Sequence, residues 1–205
     1  MKIIVFGATG GVGKWVVKQG LDQGHEMTAF VRNPDKLAIK HENLTIVQGN
    51  AFNKSEVEAA IAGHDAVVSC LGSSTGMKKS TELREMGENI AQGMAANNVS
   101  RIVYTASAGV HKELTGVMGK IVMGLLKNPL IDHCAAIAHI TANNLTYTIA
   151  RPMSLSNEAF TGVYRESKTA VPDKSRAIPR ADVAHFILKA LADPSYENTS
   201  VGLAT

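Results

Sequence analysis

Residues 2–17 read KIIVFGATGGVGKWVV, and this stretch decides the fold. The short β-branched run at its start is typical of a buried strand. Four glycines follow within seven residues, and the apolar residues Val12, Trp15 and Val16 then recur at helical spacing. The stretch therefore predicts a strand, a tight glycine turn and a helix.

The glycines of this turn have the spacing Gly7-x-x-Gly10-x-x-Gly13. Gly7 permits a sharp turn at the strand end. Gly10 and Gly11 let a diphosphate approach the backbone, and Gly13 lets the helix pack close to the strand. The free N–H groups at the helix start then face the anion, and the helix dipole favours its charge. The pattern predicts a dinucleotide site; the alternative is a glycine turn that holds no ligand.

The end of the second predicted strand indicates which dinucleotide is bound. NAD-binding units place an Asp or Glu there, against the ribose hydroxyls. Here Val31 and Arg32 stand at that place, and Glu26 lies at the other end of the strand. A guanidinium can donate two hydrogen bonds to a 2′-phosphate, and Lys36 can add a second charge. The sequence therefore predicts NADP(H) in preference to NAD(H); the alternative is that Arg32 is a solvated charge.

Strand-length apolar runs alternate with helical patterns along the whole chain. Strands are predicted over KIIVF, EMTAFV, LTIVQ, DAVVSCL, RIVYTAS, LTYTIAR and SVGLA. Helices are predicted after the glycine turn, over SEVEAAIAG with Ser55 as N-cap, over STELREMGENIAQGMAANN, from about Glu113 to Asn143, and after Arg180. Single helices between buried strands imply right-handed β-α-β units. The predicted fold is α/β: a doubly wound parallel Rossmann sheet in one domain, 1–205, with an irregular substrate-side flap at 157–179.

Composition narrows the classes of partner. The net charge is +3, only 5% of the residues are aromatic, and no basic block is present, which argues against nucleic acid. Cys70 and Cys134 lack metal-ligand spacing, and we predict no metal site. No apolar segment reaches the ~18 residues of a membrane span, and the start lacks a signal-peptide pattern. We therefore expect a cytoplasmic monomer or small homo-oligomer, with no membrane partner.

Several stretches carry a family resemblance: VFGATGGVG, FVRNPDKL, VQGNAFN, DAVVSCLG, IVYTASAG, YTIARP, FTGVY and IPRADVAHFIL. Together they resemble the atypical short-chain dehydrogenase/reductase group with an NAD(P)H-binding fold. Within it the chain most resembles the flavin reductase/biliverdin reductase B type proteins, to which the NmrA-like regulators are related. The resemblance covers nearly the whole chain in the same motif order. It is specific for the cofactor fold and much less specific for the reaction.

The resemblance implies a position along the cofactor for residues at the strand ends. It implies that Thr9, Gly10 and Val12 line the diphosphate, that Arg32 and Lys36 hold the 2′-phosphate, and that Asn50 and Ala51 bracket the adenine. It implies that Leu71 and Gly72 end the fourth strand beside the cofactor. The residues that it implies near the nicotinamide are Thr105, Ala106, Ser107, Arg151, Pro152, Met153 and Ser154. In the biliverdin reductase B type proteins a His commonly follows the proline after the sixth strand. Ser154 stands at that place here, which weakens the case for tetrapyrrole reduction.

The catalytic residues are less clear from the sequence. Typical short-chain dehydrogenases pair a Ser with Tyr-x-x-x-Lys on the helix after the fifth strand. That helix, IDHCAAIAHITANN, has neither residue at that spacing, and we interpret YRESK at 164–168 as a coincidence. Two catalytic candidates follow: Ser107, and His133 beside Asp132. The alternative for Ser107 is that it is a strand-end serine that satisfies backbone groups. The alternative for His133 is that it is packed in the fold after an acid at a helix start.

A site poor in acids and bases suits flavin reduction. Hydride passes directly between stacked rings, and water supplies the proton. The Met-rich run 114–126 suits a wall for a flat substrate, or else an ordinary buried helix face. The predicted function is an NADPH-dependent reductase of a flavin, quinone or similar conjugated small molecule. The alternative is a non-catalytic NADP(H) sensor of the NmrA-like type; a nucleotide-sugar epimerase or dehydratase would usually need the absent Tyr/Lys pair and a larger C-terminal domain.

Overall fold

The computed structural model describes residues 1–174 and 177–205. Within them strands and helices alternate for most of the chain. The strands are β1 Lys2–Phe6, β2 Glu26–Val31, β3 Leu44–Gln48, β4 Ala66–Ser69, β5 Arg101–Thr105, β6 Thr146–Pro152, β7 Leu155–Ser156, β8 Arg165–Ser167, β9 Ile178–Pro179 and β10 Thr199–Ala204. The α-helices are α1 Gly13–Asp22, α2 Lys54–Ile61, α3 Glu82–Ala96, α4 Gly116–Leu125, α5 Lys127–Ala142 and α6 Arg180–Ala192.

The main sheet has the strand order β3-β2-β1-β4-β5-β6-β10-β8. Its pairings are parallel except for β8, which runs antiparallel to β10. The order reverses between β1 and β4, and in such sheets ligands bind in the crevice at the carboxyl ends of the strands. The predicted doubly wound Rossmann fold is confirmed, and the crevice lies where the glycine turn follows β1.

Helices cover both faces of the sheet. Val16 on α1 and Phe186 on α6 pack with Ile3 and Val5 on one face. On the other face, side chains of α2, α3 and α5 pack with those of β1 and its neighbours, including Ile61, Ile90, Ile140, Ile4 and Phe6. Successive strand residues point to opposite faces, so a strand covered on both sides reads as a continuous apolar run. This explains the runs by which the strands were predicted.

Two local predictions were wrong. The N-cap of α2 is Asn53 and not Ser55, because the Asn53 side chain accepts hydrogen bonds from the backbone N–H groups of Ser55 and Glu56, at 3.1 and 3.4 Å. The predicted helical region Glu113–Asn143 is two helices, α4 and α5, with a break of 77° between them.

Helix α4 is not the ordinary buried helix face that was one interpretation of the Met-rich run; its role as a wall for a flat substrate stays a prediction. Val117, Ile121 and Leu125 are 77%, 51% and 61% exposed and share one side of the helix. Within the described residues no single helix has the length and apolarity to cross a bilayer. The bent pair Gly119–Leu125 and Lys127–Ala142 meets those criteria of length and composition only when taken together.

The flap predicted at 157–179 is anchored where the structure describes it. The buried carboxylate of Asp182 accepts hydrogen bonds from the backbone N–H groups of Thr161 and Gly162, at 3.0 and 2.8 Å. Further along, β8 extends the main sheet and β9 pairs with β7. Residues 175 and 176 lie outside the described residues.

The Tyr and the Lys of the YRESK stretch each form a hydrogen bond with a residue outside that stretch. The Tyr164 hydroxyl lies 2.8 Å from Nδ1 of His185, and Lys168 Nζ donates to the Ser195 carbonyl at 2.7 Å. This placement agrees with its interpretation as a coincidence.

Candidate functional site

The glycine turn after β1 is too tightly folded for side chains at two positions. Gly7 has φ +79°, and a Cβ there would lie 2.6 Å from the Cys70 carbonyl oxygen. A Cβ on Gly13 would overlap the carbonyl oxygen of Gly7. The turn is closed by a hydrogen bond from Gly10 N to Gly7 O of 2.9 Å. These contacts bring the start of α1 directly beneath the end of β1.

The N-terminus of α1 is open to an anion. Its N-cap residue, Val12, offers no capping side chain, and the first turn contains no acidic residue. Two of its first N–H groups are engaged, since Lys14 N donates to Gly10 O at 3.1 Å and Trp15 N donates to Val12 O at 2.9 Å. The helix start still carries the partial positive charge of the helix dipole, which favours an anion. A cradle of glycines beneath an uncapped helix start fits a diphosphate.

An open cleft joins this turn to the ends of β2, β3 and β4, with about 780 Å³ of empty space that includes open solvent. It brings together residues that the sequence singled out for the diphosphate, the adenosine and the adjoining part of a dinucleotide: Gly7, Thr9, Gly10, Arg32, Asn50, Ala51, Leu71 and Gly72. It also contains residues that sequence reasoning missed: Phe30, Val31, Gly49, Phe52, Cys70, Ser74, Glu82 and Met86.

Glu82, at the start of α3, places a carboxylate in the same cleft as Arg32. It accepts hydrogen bonds from Ser73 Oγ at 2.9 Å and from both N and Oγ of Ser74 at 2.6 Å. These bonds, led by that of the Ser74 hydroxyl, and the charge of Arg32 lower the pKa of Glu82 against the opposing effect of burial. The ionised carboxylate offsets part of the positive charge that Arg32 brings.

The other predicted phosphate ligands lie outside this cleft. Lys36 ends the short 3-10 helix Pro34–Lys36 and lines a neighbouring depression with Thr9, Lys14 and Trp15. Gly11 and Val12 belong to the turn, and Val12 is buried. The structure therefore places Arg32, and not Lys36, among the cleft residues.

The segments predicted to contact the nicotinamide run side by side. Ala106 N donates to Ala150 O at 2.8 Å, and Ala108 N donates to Pro152 O at 2.9 Å, so the chain after β5 follows β6. Ser107 lies between these two bonds and is half-buried; its Oγ contacts the Ala108 carbonyl at 3.1 Å. Thr105 is buried and lies 3.5 Å from the Cys70 thiol. These segments are at the same edge of the sheet as the cleft.

The continuation of β6 is held by backbone bonds. Met153 N donates to Leu203 O at 2.9 Å, and Ser154 O accepts from Ile178 N at 2.8 Å. Pro152 is buried, whereas Ser154 is exposed. Of this group, Met153 and Ser154 therefore leave surface available to a ligand.

The prediction that Arg151 covers the nicotinamide needs correction. Its side chain is 1% exposed and forms an ion pair with Glu113, which is also buried. Its Nε donates to Ser200 Oγ at 2.9 Å, and Nη2 contacts the carbonyls of Ala170 and Ser200, each at 3.2 Å. Because the guanidinium is committed to these partners, it holds the loops together beneath the site.

Asp132 and His133 do not form the expected pair. The Asp132 carboxylate is 2% exposed and accepts from the backbone N–H groups of Leu83 and Arg84, at 3.1 and 3.0 Å. A carboxylate in this position stabilises the start of α3. Asp132 therefore fixes α3 against α5.

His133 has a different partner, Tyr104, whose hydroxyl lies 2.9 Å from Nδ1. Burial lowers the pKa of His133 to about 4, against the opposing charge of Asp132. Burial also raises the pKa of Tyr104, so the phenol keeps its proton. The phenol and the ring are therefore both neutral at pH 7 and share one hydrogen bond. A role for His133 as a proton donor stays a prediction.

The Cys70 thiol and the metal-ligating residue types add no further reactive group to the cleft among the described residues. Burial raises the pKa of Cys70 to about 12, so this cleft-lining thiol stays protonated. In the described part of the chain, no group of three or more His, Cys, Asp or Glu residues is placed to hold a metal ion.

Comparison with known proteins agrees with this arrangement. Residues 7–194 match the model of a family described as NAD(P)H-binding. The chain belongs to the NAD(P)H-binding family. The glycine turn, the uncapped α1 and the adjoining cleft are the features by which this family member would hold a dinucleotide.

The proteins to which this chain is similar differ in the activities described for them. The chain is 29% identical over 210 residues to an uncharacterised sugar epimerase, YhfK, of Bacillus subtilis. The match covers 99% of this chain and 94% of YhfK. A Veillonella parvula short-chain dehydrogenase/reductase solved with NADP is 20% identical, covers 100% of this chain and 94% of that chain, and superposes with a TM-score of 0.84. ChuY, an anaerobillin reductase of Escherichia coli O157:H7, is 20% identical and superposes with a TM-score of 0.83. The match covers 100% of this chain and 97% of ChuY. Further relatives matched over part of the chain include a dehydrogenase and a reductase, which supports an NAD(P)H-dependent oxidoreductase.

Proposed function

We propose that this chain is an NADPH-dependent reductase that transfers hydride to a flavin, quinone or similar conjugated small molecule. The observation that carries the proposal is the cleft itself. It joins the open start of α1 to Arg32, at a strand end where NAD-binding units place an acid. NADPH carries two anionic groups that suit these two places, a diphosphate for the helix start and a 2′-phosphate for Arg32. NADH carries the diphosphate alone.

The chain's own residues would mainly bind and orient. When bound, the dinucleotide supplies the hydride. The glycine turn would hold its diphosphate, and the adjacent segments after β5 and β6, which include Ser107, would hold its nicotinamide end. The half-buried Ser107 hydroxyl donates to the Ala108 carbonyl in this structure, and by turning away from that carbonyl it would donate to a carbonyl of the acceptor or to the nicotinamide amide. Flavins and quinones suit this site because orientation is the main requirement of their reduction.

The test is oxidation of NADPH with a panel of free FMN, FAD, quinones and biliverdin, with NADH as control. We expect turnover with at least one flavin or quinone and a preference for NADPH. Binding of NADPH without turnover of any acceptor would contradict the reductase.

One observation favours a second candidate, a non-catalytic NADP(H) sensor. Helix α5 lacks the Tyr-x-x-x-Lys pair, and His133 there is neutral and bonded to Tyr104. A sensor predicts that NADPH changes the affinity for a protein partner without being oxidised. The acceptor panel therefore separates the two functions.

Replacing Arg32 by alanine should weaken NADPH binding far more than NADH binding. A hydrogen bond between charged groups contributes about 1.5–3 kcal/mol, which corresponds to roughly a 10- to 150-fold loss. Calorimetric titration of both cofactors measures the difference. Lys40→Ala, which removes an exposed cation nearby in the sequence, serves as control and should leave both affinities unchanged. Equal losses for NADPH and NADH in Arg32→Ala would show that Arg32 does not contact the 2′-phosphate.

Replacing Ser107 by alanine should slow hydride transfer about 3- to 10-fold, the value of one hydrogen bond, with little change in NADPH affinity. Single-turnover kinetics with saturating NADPH measures the step. Ser100→Ala removes an exposed serine just before β5, at its opposite end, and should transfer hydride at the wild-type rate. A wild-type rate in Ser107→Ala would assign Ser107 a structural role.

A further inference from the structure

Arg180, the first residue of α6, lies against the glycine turn although it is far from it in sequence. A Cβ built on Gly11 would lie 2.5 Å from Nε and 2.6 Å from Cδ of Arg180. The arginine therefore occupies the space that a side chain at residue 11 would take. It packs beside the same turn whose N–H groups face the predicted diphosphate.

The guanidinium also reaches the segment that follows β6. Its Nη1 donates to Asn157 Oδ1 at 2.7 Å and contacts the Leu155 carbonyl at 3.5 Å. Leu155 belongs to β7, which pairs with β9 immediately before Arg180. Arg180 thus stands between the diphosphate turn and the chain that continues from the predicted nicotinamide segment.

The charge of Arg180 is not neutralised by the acid nearest to it in sequence. Both oxygens of Asp182 accept hydrogen bonds from Thr161 and Gly162. Among the ion pairs of the described residues, none includes Arg180. Its hydrogen bonds to the described residues go to a neutral amide and a carbonyl and use Nη1, whereas a guanidinium has five N–H donors. Within that part of the chain, Nε and Nη2 have no hydrogen-bond partner and are available to an anion.

We propose that Arg180 is a cofactor-binding residue that contacts the diphosphate of the dinucleotide and ties the 155–157 segment to it. The proposal rests on the proposed function, since it needs the dinucleotide to lie on the glycine turn. It assigns the two arginines different tasks. Arg32 distinguishes NADPH from NADH, and Arg180 binds the group that both cofactors share.

The test compares binding of NADPH, NADH and ADP-ribose by calorimetry in the wild type and in Arg180→Met. Methionine keeps an apolar stem against Gly11 and removes the charge. We expect all three affinities to fall by a similar factor, about 10- to 100-fold. Arg180→Lys should recover part of the loss, and Arg165→Met, at an exposed arginine of β8, should have no effect.

The outcomes separate this proposal from the proposed function. If the wild type binds neither cofactor, the proposed function fails. If the wild type binds NADPH and Arg180→Met binds it equally well, only the assignment of Arg180 fails; a loss confined to NADPH would also overturn it. A urea transition shows whether each variant is folded. If Arg180→Met does not fold, the affinities of Arg180→Gln for the same three ligands are measured instead, and the same outcomes decide whether Arg180 binds the diphosphate.

Discussion

Replacing Arg151 by alanine should lower the free energy of unfolding by about 3–5 kcal/mol, because removal of one partner leaves a buried charge uncompensated. That charge belongs to Glu113, whose side chain is 5% exposed. Burial alone would raise the pKa of Glu113, but backbone hydrogen bonds and Arg151 outweigh it and hold the pKa below its ordinary value. The variant also loses the bonds by which Arg151 joins β6 to Ser200 of β10 and to Ala170.

Urea denaturation monitored by circular dichroism measures this loss. The control is Arg165→Ala, which removes an exposed arginine that donates to the carbonyls of Asp173 and Thr205; it should cost less than about 1 kcal/mol. The double variant Arg151→Met/Glu113→Leu removes both charges, and we expect it to be more stable than Arg151→Ala. A cost below about 1 kcal/mol for Arg151→Ala would show that the ion pair does not support the fold.

Replacing Gly10 by aspartate should reduce the affinity for both NADPH and NADH by more than about 100-fold, since like charges in contact cost several kcal/mol. Gly10 lines the cleft, and a Cβ there would lie 3.1 Å from Gly7 O and 3.8 Å from Cys70 O. The Cβ fits with a small adjustment, so the main effect is a carboxylate in the space for the diphosphate.

Calorimetric titration of both cofactors measures the effect of this substitution. Gly10→Ala adds the Cβ alone and should retain most of the affinity. Gly124→Asp, which adds the same charge on α4 where a Cβ meets no atom within 4 Å, should bind normally. Unchanged affinity in a folded Gly10→Asp protein would show that the diphosphate does not bind at the glycine turn.

The fold, and the gathering of several cofactor-binding candidates in one cleft, were predictable because their signals are local. The glycines, the strand before them and the helix after them lie within residues 2–17, and each strand appears as an apolar run. Parallel strands bring their carboxyl ends to one edge, so Arg32, Asn50 and Leu71 meet in one cleft without any long-range information.

The residues that sequence reasoning missed come from elements far apart in the chain. Glu82 enters the cleft from the start of α3, and Arg180 reaches Gly11 from the start of α6. The direction of the Arg151 side chain depends on Glu113, 38 positions earlier, in the loop before α4. No pattern near either residue indicates such a contact.

One missed feature did have a local signal. Pro129 lies in the first turn of α5, a position that proline tolerates, and it marks the end of a continuous helix from α4. The N-cap of α2 had no such signal. Asn53 and Ser55 are both suitable N-caps, and each has a glutamate three residues later, Glu56 and Glu58. The hydrogen bonds of the Asn53 side chain, and not the spacing, separate the two.

The central claim is that NADPH lies in this cleft with its diphosphate on the glycine turn, and a crystal structure of the NADPH complex tests it most directly. We predict density for the diphosphate over the N-terminus of α1, the adenine beside Asn50 and Ala51, and the 2′-phosphate within hydrogen-bond distance of Arg32. A cleft that stays empty at saturating NADPH, or a dinucleotide bound elsewhere on the protein, would contradict the account.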